Sequence, residues 1–144
     1  MTHYEMNLDE YLRNMKGNAK MKEIFKVADQ LVTILRIVHG SRRTFNDLKP
    51  DNIMITPPGQ NQKLKVHLID FGMAKKFIDE DTKQHIKEGE QVDVFQGNMI
   101  YSSIHQMHFK KTSARDDIIS VFYLVLNCLD RKFFIELYQS DDTS

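Results

Sequence analysis

The sequence predicts a mainly α fold carrying one small β-hairpin. Two segments, residues 20–39 and 113–129, repeat their apolar residues at helical spacing. Between them, Leu64, Val66 and Leu68 alternate with Lys65 and His67, the period of a strand with one wet face. A short apolar run, Ile53-Met54-Ile55, is closed by Pro57-Pro58-Gly59 and supplies that strand with a neighbour.

Bulk properties narrow the class. A chain of 144 residues, 41% hydrophobic and 28% charged, is one domain of ordinary globular composition. Its 20 Lys and Arg balance 20 Asp and Glu, so no net field favours nucleic acid or an anionic membrane. Cys128 stands alone, which excludes an internal disulfide and suits a reducing compartment. No apolar run reaches the roughly 18 residues of a membrane span, and no signal-peptide pattern opens the chain. A cytoplasmic or nuclear protein is expected.

In chain order, Leu8, Tyr11, Leu12 and Met15 predict a first helix ended by Gly17-Asn18. The second helix, residues 20–39, places Met21, Ile24, Phe25, Ala28, Leu31, Val32, Leu35 and Val38 toward a core, with Gly40 just past its end. The hairpin of the two short strands then delivers Asn52 and Asp70 to the same end. Two oxygen ligands brought together by a turn make half of a magnesium site. Residues 78–96 read as a long exposed loop, where Thr82 is an ordinary solvated side chain. Ser113, Asp116 and Asp117 are good helix-starting chemistry. The residues from Ile118 to Leu129 cover nearly every face, which predicts a helix buried all round. Cys128 is a small hydrophobe within it. His105 and His108 read as surface histidines without further metal-ligand spacing. The last residues, Ser-Asp-Asp-Thr-Ser, read as a frayed tail.

The chemistry concentrates in residues 44–72. Asp47 and Asn52 stand at Asp-x-x-x-x-Asn spacing, Lys49 lies between them, and Asp70-Phe71-Gly72 follows the second strand. That order is the catalytic-loop and metal-loop pattern of protein kinases. With Asn46-Asp-Leu-Lys-Pro-Asp-Asn52, Leu68-Ile-Asp-Phe-Gly-Met-Ala-Lys-Lys76, and Tyr101-Ser-Ser-Ile-His105 leading to Arg115-Asp-Asp-Ile-Ile-Ser-Val-Phe-Tyr123, the chain resembles the C-terminal lobe of the casein kinase 1 group.

The resemblance implies a role for each matching residue. Asp47 would take or orient the substrate hydroxyl proton, and Lys49 would neutralise charge on the transferred phosphoryl group. Asn52 and Asp70 would hold Mg²⁺, and ATP would be the second cofactor. Met54 would lie under the adenine and Ile69 near the phosphates, with Thr2 to Tyr4 in the hinge at the adenine edge. Asp117 would anchor the catalytic-loop backbone from the buried helix.

The chain also departs from the pattern. It reads as a single partial kinase domain over residues 1–144, opening near the hinge, without a Gly-rich loop, a strand lysine or the final C-lobe helices. Phe45-Asn46 replaces the usual His-Arg, and Asn98 and Ile100 replace an expected Thr and Arg, which removes a phosphate-binding corner. The implied function is a serine/threonine protein kinase core acting on protein substrates. The alternative is a non-catalytic, pseudokinase-type module that docks kinases or substrates. In either reading, apolar surface left uncovered predicts self-association or a partner kinase.

Overall fold

A computed structural model describes residues 5–76, 113–132 and 136. Thr2, Tyr4, the 78–96 loop with Thr82, Asn98, Ile100, the Tyr101–His105 stretch, His108 and the terminal tail lie outside the described residues.

The predicted hairpin is present. Strand β3 (Ile53–Thr56) pairs antiparallel with β4 (Lys65–Leu68), Ile53 opposite Leu68 and Thr56 opposite Lys65. Leu64 and Val66 are buried and Lys65 and His67 exposed, as the alternation requires. A two-residue strand β1 (Met6–Asn7) adds to the other edge of β3, giving the order β1-β3-β4. Neither β1 nor the second sheet, β2 (Arg43–Thr44) with β5 (Lys75–Lys76), was legible in the sequence. Two residues carry no period to read.

Helix α1 (Leu8–Leu12) is shorter than expected. Asn7 caps it, its side chain accepting from Glu10 N at 2.9 Å, and Arg13 ends it. Gly17 does not stop this helix but starts the next: α2 runs Gly17–Gly40, and Gly17 takes φ +61° there. That left-handed conformation is open to glycine at little cost and turns the chain from α1 into α2. Gly40 is the last helical residue rather than the one beyond. Ser41 caps the end through Oγ to the Val38 carbonyl at 2.6 Å, and Arg42 takes the left-handed turn at φ 64°.

The buried face of α2 is narrower than its apolar content suggested. Ile24, Val27, Leu31 and Leu35 form the core stripe. Met21, Phe25 and Val32 are exposed because, at about 100° per residue, they fall roughly 60–100° further round the helix from Ile24. Helix α3 (Ala114–Leu129) is also one-sided. Val121 and Leu124 are buried, while Ile118, Phe122 and Leu129 are exposed, which corrects the expectation of a helix covered on every side. Its start is as predicted: the Asp116 carboxylate accepts from Ser113 N at 2.8 Å.

The core lies where α1, α2, α3 and the β1-β3-β4 sheet meet, and it includes Phe45, Leu48, Ile53 and Ile55. Cys128 packs against it half-buried, and burial pushes its thiol up to about 11, so it is a neutral packing group. Gln30 joins α2 to the open edge of β4. Its Nε2 donates to the Leu64 carbonyl at 2.8 Å and its Oε1 accepts from Val66 N at 2.9 Å.

Candidate active site

The site is built outward from Asp117 on the second residue pair of α3. This carboxylate is 1% exposed and accepts three bonds: Phe45 N at 2.7 Å, Asn46 N at 2.8 Å and His39 Nε2 at 2.8 Å. A buried carboxylate without donors is too costly to persist, so the loop is fixed wherever those two amides can reach it. Asp117 therefore anchors the backbone of the loop that carries Asp47.

That loop is bent at Asn46, with φ 69°. Asn is one of the few side chains enriched in the left-handed region. The Asn46 amide Nδ2 donates to the Met73 carbonyl at 2.9 Å, so the residue also touches the loop after Asp70. Phe45 is fully buried and packs edge-on against Phe71, ring centroids 5.1 Å apart.

Asp47 is nearly buried, at 8% exposure, and Asn52 holds it. Asn52 Nδ2 donates to both the Asp47 carbonyl and Asp47 Oδ2, each at 2.9 Å. Both residues sit at the ends of a turn in which a short 3-10 helix, Pro50–Asn52, follows Lys49 and Asn52 N donates to the Lys49 carbonyl at 3.0 Å. The hairpin register then continues: Ile69 N donates to the Asn52 carbonyl at 3.0 Å. Asp70 is the next residue, exposed, with φ 63°, its Oδ1 accepting from Gly72 N at 3.2 Å. A side chain on Gly72 would bring a Cβ within 3.1 Å of that oxygen.

Asp47 and Asn52 are thus in direct contact, and Asp70 follows the residue bonded to Asn52. Lys49 is half-buried at the start of the 3-10 turn and forms no ion pair with Asp70 among the described residues. Met54 is half-buried in the central strand, opposite His67 and Asn7. Ile69 is 43% exposed at the strand end. Among the described residues no three His, Cys, Asp or Glu side chains cluster as a metal cage. The donors available are instead one carboxylate, Asp70, and the amide Oδ1 of Asn52, whose nitrogen is committed to Asp47. Such a sparse oxygen set fits Mg²⁺, which keeps waters and takes substrate phosphate oxygens to complete its shell.

Outside the chain, the protein kinase domain family matches residues 1–143. This chain belongs to the protein kinase family. Within it, the chain is a member of the casein kinase 1 group. It is 42% identical over 98 residues to casein kinase I homolog 2 of Saccharomyces cerevisiae, covering 68% of this chain and 18% of that protein. It is 30% identical over 118 residues to casein kinase 1-like protein HD16 of Oryza sativa subsp. japonica, covering 82% of this chain and 17% of the relative. The chain therefore spans under a fifth of the length of these curated relatives. Helices with small antiparallel sheets agree with part of a kinase domain, and kinases as a family use ATP and Mg²⁺.

Three contacts of this kinase chain were not legible in the sequence. His39 reads as the end of a helix, yet it is the third partner of Asp117, 78 positions away. Phe45 and Asn46 read as departures, yet one packs on Phe71 and the other bonds Met73. A buried acid at the start of α3 signals that donors must come from elsewhere, but not which ones.

Proposed function

We propose that this chain carries the catalytic face of an ATP-dependent serine/threonine protein kinase, the part formed by the C-terminal lobe. The observation that supports the reading is the pair of hydrogen bonds that Asn52 Nδ2 donates to Asp47, with Ile69 N on the Asn52 carbonyl. It joins Asp47 to Asn52 and Asn52 to Ile69, the residue before Asp70.

In this reading Asp47 Oδ2 is held by Asn52, which leaves Oδ1 to accept the proton of a substrate serine or threonine hydroxyl. Lys49 stabilises charge on the transferred phosphoryl oxygens. Asn52 Oδ1 and the Asp70 carboxylate hold Mg²⁺. Met54 supports the adenine, Ile69 borders the phosphates, and the backbone at Thr2 and Tyr4 meets the adenine edge. Magnesium-ATP, when bound, supplies the phosphoryl group and the cation that neutralises it. The exposed apolar residues of α2 and α3 support self-association or a protein partner, and protein substrates follow from the same reading.

Melting the chain with Mg²⁺ and ATP together tests this. Ligand about tenfold above Kd stabilises by about 1.4 kcal/mol, a readable shift. The shift is expected in the wild type, absent in Asp70→Ala and retained in Asp47→Asn, whose phosphoryl transfer is lost. No shift in the wild type would overturn the reading and leave the binding-module alternative.

A further inference from the structure

We propose that Asn46 is a positioning residue whose side-chain amide clips the Asp70 loop to the catalytic loop through an uncharged hydrogen bond that needs no phosphoryl group. Asn46 is 3% exposed, and its backbone and side chain bond to different segments. Its backbone N–H is held by Asp117 Oδ1 at 2.8 Å. Its backbone takes the left-handed conformation, with φ 69°. Its Nδ2 then reaches the Met73 carbonyl, 27 positions later, at 2.9 Å.

Met73 is a telling place to be held. The Asp70 carboxylate, turned back onto Gly72 N, lies three residues before it. Ala74 N closes a turn on the Phe71 carbonyl at 3.0 Å, and Lys75 begins the pairing with Thr44. One bond to Met73 thus fixes the midpoint of a segment whose far end is tied by β2 and β5 and whose near end carries Asp70. A clip between an amide and a carbonyl carries no net charge, so salt does not screen it. A cation buried in its place would bring a charge whose desolvation must be offset, and the Asn46 amide brings none.

Two substitutions isolate the side chain from the backbone. Asn46→Asp has the same shape and tolerates the left-handed conformation, but it has no N–H for Met73. Asn46→Gly accepts the φ and deletes the side chain. Residue-resolved amide exchange should quicken about tenfold at Ala74 and in β5 in both variants, the scale of one lost hydrogen bond. Protected amides of the β3–β4 hairpin, such as Val66, should not change. Wild-type protection at Ala74 should be the same at low and high salt.

The positioning role rests on the reading of Asp70 as a metal ligand, and it predicts that affinity for Mn²⁺ with ADP falls severalfold in both variants. Unchanged exchange at Ala74, or equal acceleration in β3–β4, overturns the clip. Faster loop exchange with unchanged Mn²⁺–ADP affinity overturns its positioning role. A wild type that binds no Mn²⁺–ADP counts against the proposed function instead, and the exchange comparison alone then decides the clip.

Discussion

Asp117 shows how one side chain sets a loop. Its carboxylate satisfies two buried backbone N–H groups and His39, so removing it orphans donors in the interior rather than at the surface. Each orphaned buried group costs about 1–3 kcal/mol, so Asp117→Ala should lose about 3–5 kcal/mol in urea unfolding. Asp117→Asn keeps one acceptor oxygen and should lose less. A loss below about 1 kcal/mol for the alanine variant would mean that the loop holds itself. The anchoring role of Asp117 was legible only through the resemblance to kinases, because by itself an acid in the first turn of a helix reads as helix-starting chemistry. The left-handed backbone at Asn46 and Asp70 was not legible, because the enrichment of Asn and Asp in that region is too weak to single out two such residues among all those in the chain.

Among the elements, the hairpin was legible and its attachments were not. Alternation at 64–68 and the proline-rich break gave β3 and β4 nearly to the residue, and with them the common end shared by Asn52 and Asp70. The face that α2 buries was read too broadly, because Met21, Phe25 and Val32 satisfy the i, i+3, i+4 rule as well as the true core does. Only the partners decide which stripe turns inward. Gln30 is such a hidden attachment. It completes the open edge of β4 as another strand would, with one donor and one acceptor. Gln30→Leu removes both bonds at similar volume and should cost about 1–3 kcal/mol. Exchange at the Val66 amide should rise more than at Ile55 in the paired strand β3. Equal protection at both would show that water replaces Gln30 without loss.

At the scale of the whole molecule, burial is uneven. On α2, Met21, Phe25 and Val32 stand at i, i+4 and i+11, and on α3 Ile118, Phe122 and Leu129 repeat the same spacing. Each set therefore marks one line along its helix, opposite in character to a charged solvent face. Phe122 is 62% exposed and Phe25 53%, a large apolar area for a monomer to leave in water. Burying a phenylalanine contributes about 1.5–3 kcal/mol, and less for a side chain already half-covered, so two copies offset the roughly 4–15 kcal/mol cost of association only by covering a whole line and not its phenylalanine alone. Sedimentation equilibrium should show a mass that rises with protein concentration, and Phe25→Lys with Phe122→Lys should return it to the monomer. Because both side chains are exposed, these changes should leave the melting temperature of the dilute protein nearly unchanged. A constant monomer mass in the wild type would mean that these lines stay in water, and the association argued from them would be wrong.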